Sequence, residues 1–226
     1  MIPRLPGPLV LVGLGGLGTP AAAALVQAGA RHLRLIDDDH VELSNLPRQP
    51  LYGTDDLGRL KVDAAADRLR AAANDAGLAL EIIPSRLGPD NADTLLGDAV
   101  AILDGTDGVT SKLLLNEAAI RHHIPLVHAG AVGTDGQLVT ILPGETACVR
   151  CLFPDLRETD ELATCQQSGI LGPVVGAIGL RMAAEALAIA AGRRPELAGR
   201  LAMLDGVRLR WRTIELRRNP RCPTCA

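Results

Sequence analysis

A four-residue apolar run, Leu9-Val10-Leu11-Val12, leads directly into Gly13-Leu14-Gly15-Gly16-Leu17-Gly18, and few folds accept that junction. The run reads as a strand buried on both faces, which belongs in a parallel sheet. Gly13, Gly15 and Gly18 keep the G-x-G-x-x-G spacing, in which missing side chains let the backbone turn sharply, approach phosphate or ribose and pack a helix on its strand. Gly16 is an additional glycine in the same turn. A helix begun near Gly16 accommodates Pro20 in its first turn, where no intrahelical donor is lost, and runs through alanines to Gly29. His32 to Ile36 forms the second strand. Asp37 closes it, nineteen residues beyond Gly18, where a carboxylate can accept hydrogen bonds from a ribose hydroxyl pair. On the glycines alone, helix–strand packing without a ligand and an NAD or FAD site are both open alternatives.

The residues after Asp37 change the balance. Hydride-transfer domains have no need of Asp39, Glu42, Asn45, Arg48 and Gln49 at this point, whereas polyphosphate chemistry needs cations beside an adenosine-binding turn. Lys61 opens an amphipathic helix, Leu60 to Ala76, with Val62, Ala65, Ala66, Leu69 and Ala73 on one face. A lysine at a helix N-terminus opposes the helix dipole, so its placement predicts a facing anion rather than bulk solvent. The run D-D-D-H-V-E-L-S-N-L-P-R-Q, with G-L-G-G-L-G before it and Lys61 after it, resembles the adenylating domain of the ThiF/MoeB/HesA family, bacterial relatives of the ubiquitin-activating enzymes. The likeness extends from Leu9 to Cys225.

That resemblance implies a Rossmann-like α/β fold, with a mostly parallel sheet, helices on both faces, an antiparallel C-terminal extension and a structural zinc site. It implies an ATP-dependent adenylyltransferase whose substrate is a small ubiquitin-like sulfur-carrier protein ending in Gly-Gly. The carrier's C-terminal carboxylate attacks the α-phosphate, giving an acyl adenylate and pyrophosphate ahead of sulfur transfer. Arg48 and Lys61 then supply fixed positive charge on the phosphates. Asn45 and Gln49 orient the triphosphate or ribose, with Asp39 beside them, while Asp37 binds the ribose and the glycines admit the nucleotide to the backbone. Asp107, the second Asp of D-G-T-D at Asp104 to Asp107, falls on the family's magnesium-binding aspartate, and Asp104 reads as structural. A blander role for both is capping the helix Thr110 to His122. The family usually has Asn after the second Asp, and this chain has Gly108, which puts one polar contact in doubt. The family's longer N-terminal segment, whose arginine reaches the partner subunit's ATP, is represented here by eight residues before Leu9 with Arg4 the sole basic one. A homodimer and a separate sulfur-donor protein complete the expected partners. Two other classes stay open: a Rossmann-fold NAD(P)-dependent oxidoreductase, and a non-catalytic nucleotide-binding adaptor.

At 226 residues the chain suits one α/β domain spanning 1–226. With one Trp, one Tyr and one Phe the core must be aliphatic, which disfavours base-stacking nucleic-acid folds, and a net charge of -3 suggests no polyanion partner. The N-terminus has no signal-peptide pattern, so the expected location is cytoplasmic. Ile170 to Ala191 is apolar enough to raise the question of a membrane span, but Pro173, Arg181, Glu185 and three glycines argue for a buried core helix. Leu78 to Ile83 and Ala99 to Leu103 are the third and fourth strands. Pro125 to Ala129 is the next, followed by Ala131 to Leu142 with a hairpin signal at Thr134 to Gly136, where the sheet turns antiparallel. His122, His123 and His128 have no adjacent Ser or Cys and are assigned no chemistry.

Cys148 and Cys151 form C-V-R-C, and Cys222 and Cys225 form C-P-T-C. Two such pairs provide four thiolates for tetrahedral zinc, with disulfides or a redox pair as the alternatives. The interval of roughly seventy residues makes the metal a staple between 148–151 and 222–225. In the family these four cysteines are a structural zinc site. Cys165 is left over, in the polar segment 155–169, which such folds use as a crossover loop. A cysteine there is either a small packing residue or a nucleophile, and the resemblance leans toward the second, because some members use a crossover-loop cysteine for a persulfide or acyl-disulfide link.

Overall fold

The computed structural model describes residues 5–73, 77–156 and 169–226. Strand β1 (Leu9–Val12) is buried along its whole length. It lies between β2 (His32–Ile36), flanked by β3 (Ala79–Ile83), and β4 (Ala101–Asp104), flanked by β5 (Leu126–Val132), and these five strands are parallel. A tight turn, with Gly133 at φ +59°, reverses the chain into β6 (Asp135–Ile141). Strands β7 (Arg200–Asp205) and β8 (Arg210–Glu215) extend the antiparallel half, giving one eight-stranded sheet in the order β3-β2-β1-β4-β5-β6-β7-β8.

Alternation along the strands builds a core on each face. Leu9, Leu11, Leu33 and Leu35 face α1 (Gly18–Gln27), α2 (Lys61–Ala72) and α6 (Gly172–Ala190). Val10, Val12, Ile102 and Leu126 face α3 (Pro89–Leu96), α4 (Val109–Arg121) and the short α5 (Val149–Leu152). Side chains that succeed one another along a strand point to opposite faces, so an apolar strand with helices on both sides needs no polar alternation.

Among the described residues α6 is long and apolar enough to cross a membrane, but half of it is buried inside the protein. Val174, Ile178, Met182 and Ala186 pack into the core shared with α1, as the interruptions at Arg181 and Glu185 predict. Glu185 is buried and bonded, accepting from the Thr140 hydroxyl on β6 at 2.6 Å and the Leu197 amide at 2.9 Å. Helix α1 starts two residues later than expected, and β5 runs three residues further, to Val132. Helix α3 has no counterpart in the sequence reading. Arg4 and Cys165 lie outside the described residues, as does most of the segment 155–169.

Candidate active site

The C-terminal ends of β1, β2, β4 and β5 open into a cavity of about 790 Å³, where open parallel sheets bind ligands. Its floor is the glycine turn. Gly13 sits at φ +87°, and a Cβ there would come within 2.8 Å of the Gly105 backbone, so only glycine lets the turns after β1 and β4 meet. A Cβ on Gly18 would lie 1.9 Å from the Gly13 carbonyl oxygen. Gly18 therefore seats α1 against the turn and is not among the cavity-lining residues, whereas Gly13, Gly15 and Gly16 are.

Asp37 braces the turn. Its carboxylate accepts from the Leu14 amide at 2.5 Å and the Asp39 amide at 2.8 Å, and burial raises its carboxyl above the ordinary value against those bonds. Tyr52, unremarked in the sequence, places its hydroxyl on the Leu14 carbonyl at 3.0 Å and within 3.3 Å of the Lys61 carbonyl, fastening the turn to α2. Burial pushes that hydroxyl far up, so it remains a donor. Lys61, first residue of α2, is almost wholly buried, and its Nζ meets Asp39 Oδ2 at 2.8 Å. In the structure the anion facing Lys61 is Asp39, whose own side chain is 69% exposed.

The 3₁₀ turn Leu43–Arg48 carries the polar cluster. Arg48 Nη1 donates to the Ser44 carbonyl at 2.8 Å, and Asn45 Nδ2 to the Ser44 hydroxyl at 3.1 Å. Gln49 is 3% exposed, lines the cavity, and its Oε1 has no partner among the described residues. A buried acceptor left unpaired costs about 1–3 kcal/mol, a cost that a ligand donor removes.

Across the cavity, Asp107 is exposed and makes no ion pair among the described residues, and its loop is set by Asp104. Asp104 is fully buried, accepting from the Thr106 amide (3.0 Å), Thr106 hydroxyl (2.7 Å), Lys112 Nζ (3.2 Å) and His128 Nδ1 (2.7 Å). Burial opposes its charge, but Lys112, His128 and Thr106 hold the carboxyl well below the usual range. Asp104 is structural, as expected. The capping role is absent: Gly108 is the N-cap of α4 and no side chain caps it.

Lys112, which escaped the sequence reading, and His128, which that reading assigned no chemistry, also line the cavity. The signals were a lysine on the buried face of a helix, between Val109 and Leu113, and a histidine within an apolar strand in register with Asp104. His122 pairs with Asp93 away from the cavity at 2.8 Å.

The four cysteines converge outside the cavity. Their Sγ atoms lie within 4.8 Å of one another, with Cys148–Cys222 at 3.6 Å and Cys151–Cys225 at 3.5 Å. Disulfide sulfurs sit at about 2.05 Å, whereas tetrahedral zinc with Zn–S of about 2.3 Å sets its sulfurs about 3.8 Å apart. All four are free thiols, which removes the disulfide alternative. Burial raises the Cys148 thiol, whereas at Cys222 burial is outweighed by the Thr224 and Cys225 amides, which bring it down to about 7.

Comparison with known proteins agrees with this architecture. The model of the ThiF family matches residues 8–224. The sulfur carrier protein ThiS adenylyltransferase of Escherichia coli is 39% identical over 218 residues, covering 96% of this chain and 85% of that protein. The sulfur carrier protein adenylyltransferase of Thermus thermophilus is 37% identical over 222 residues, 96% of this chain and 81% of its own. Among solved structures, E. coli MccB with MccA-N7isoASN superposes with a TM-score of 0.84 at 20% identity, over 97% of this chain and 66% of that one, a likeness of fold.

Proposed function

The chain belongs to the ThiF family, and on that premise we propose that it is an ATP-dependent adenylyltransferase activating the C-terminal Gly-Gly carboxylate of a ubiquitin-like sulfur carrier. The observation that supports this reading best is a single cavity bringing together the glycine turn, Arg48, Lys61 and Asp107. In the reaction an anionic carboxylate approaches a polyanion, so the site must neutralise phosphate charge and hold both reactants in line. Lys61, released by Asp39, is a compact charge for the α-phosphate or the leaving pyrophosphate, and Arg48 grips phosphate oxygens with its planar fork. Asp37, Asn45 and Gln49 hold the ribose and phosphates, and Gln49 Oε1 meets a donor there. The exposed, unpaired Asp107 carboxylate fits magnesium, which would neutralise charge across the phosphates. Zinc would sit on Cys148, Cys151, Cys222 and Cys225 in a closed sphere with no catalytic position.

The acyl adenylate passes to a sulfur nucleophile, for which Cys165 or a thiol of a separate donor protein qualifies. A second copy of the chain is the expected partner, and Leu171, the N-cap of α6, and Leu180 within it are among the exposed apolar side chains available to it. Reduced zinc thiolates and ATP use suit a cytoplasmic location. The test is ATP–pyrophosphate exchange with a ThiS-type carrier. Exchange is expected to require magnesium and the carrier's last glycine; exchange indifferent to deletion of that glycine would refute the assignment.

A further inference from the structure

His128 is a buried ionisable group lining the cavity for which adenylation has no use. It stands in register with Asp104 across the β4–β5 pair, on the same face of the sheet, and the two are joined at 2.7 Å through Nδ1. A buried carboxylate held ionised accepts a proton-bearing nitrogen, so Nδ1 carries the hydrogen and Nε2 presents a lone pair. No described protein group engages Nε2, and the ring lines the cavity. An Asp–His pair alone would favour an imidazolium. Here Lys112 already neutralises Asp104 from α4, with its Nζ also tied to the Ala129 carbonyl at 2.6 Å. Burial and Lys112 keep the imidazole below its ordinary value despite Asp104. On the β6 side its register neighbour is the apolar Val139, and Lys61, Asp107 and Asp135 are among the other charged groups that line the cavity. The ring is therefore a neutral, oriented base near neutral pH.

We propose that His128 Nε2 is the general base that takes the proton from a thiol or persulfide as its sulfur attacks the carrier acyl adenylate. The inference rests on the adenylyltransferase reading above. Forming the adenylate needs no base, because a carboxylate is already ionised at neutral pH. Consuming it does. In the step assigned here the S–H bond breaks with its proton passing to Nε2. The sulfur pair forms a bond to the carrier's terminal carbonyl carbon, and the C–O bond to phosphate breaks, AMP leaving with that electron pair. No redox partner is involved. Because Asp104 fixes the ring's tautomer and Lys112 its charge state, both are positioning residues for this step.

The experiment uses the full chain with a ThiS-type carrier ending in Gly-Gly, ATP and N-acetylcysteamine as the thiol. Thioester formation is followed by mass spectrometry per mole of acyl adenylate present, for wild type, His128→Ala and His128→Gln. Wild type is expected to hold a flat rate between about pH 6.5 and 8, because the base is neutral and the thiol protonated there. Both variants are expected to lose about a hundredfold or more near pH 7 and to rise about tenfold per pH unit, as only pre-formed thiolate reacts. Unchanged profiles, or a uniform loss with the flat profile retained, would overturn the inference. So would a wild-type adenylate that forms but yields no thioester. Absence of any acyl adenylate in the wild type would instead remove the proposed function, and this inference with it.

Discussion

Lys61 and Asp107 both line the cavity and carry opposite charge, and they differ in how the fold treats them. Lys61 is 5% exposed with its ammonium on Asp39, whereas Asp107 is exposed and pairs with no described cation. A buried lysine is costly to keep unless something uses its charge, and the exposed Asp39 holds it in reserve without sealing it in. On the proposed reading, alanine at 61 removes the cation that would meet phosphate, and alanine at 107 removes the carboxylate that would hold magnesium. Lys61→Ala and Asp107→Ala are each expected to slow ATP–pyrophosphate exchange by about two decades or more. Retention of wild-type exchange by either variant would remove that residue from the proposed site. The sequence singled out both, Lys61 from its conflict with the helix dipole and Asp107 from family likeness at a strand end, and both line the cavity. His128 and Lys112 received no role there, because their meaning comes from Asp104, which reaches them only through a parallel strand pair and a helix packed across it.

The elements that sequence located best are those whose pattern is decided locally. β2 ends where expected, at Ile36, and α2 starts with Lys61, because apolar runs and helix faces repeat with fixed periods. The antiparallel half was expected as a whole, but β7 and β8 were not placed. β8 is an edge strand, exposed apart from a half-buried Trp211, with arginines at 210 and 212, and only its register against β7 makes it a strand. α6 shows the same dependence inside the core. Its buried Glu185 is the tie to β6 and to the Leu197 amide, two donors that would otherwise be left dry. Glu185→Ala is expected to cost about 2–6 kcal/mol, since each of the two unpaired buried donors costs about 1–3 kcal/mol. Urea unfolding measures this directly, and a midpoint unchanged from wild type would show that the clamp contributes nothing.

At the scale of the whole molecule, the chain after β8 returns to the face covered by α3 and α4 and is fastened there by four sulfurs. Cys148, Cys222 and Cys225 belong to the same buried cluster as Val139, Ile141 and Val149, so three of the four cysteines are part of the core of that face. Val149 connects this corner to α4, its amide donating to Asn116 Oδ1 at 2.9 Å, and it also lines the cavity. The cysteine spacing announced that the two pairs would converge, but not that they would do so beside a residue of the cavity lining. A closed four-thiolate sphere contributes to folding and leaves no open coordination position for chemistry. The purified protein is therefore expected to contain about one zinc per protomer, measured by metal analysis of material prepared without chelator. Cys222→Ser should lower the thermal unfolding midpoint by several degrees or more while leaving ATP–pyrophosphate exchange, assayed well below that midpoint, within about threefold of wild type. A variant of unchanged stability would show that the tail is held by packing alone, and loss of exchange from a protein still folded would place the metal within reach of the chemistry.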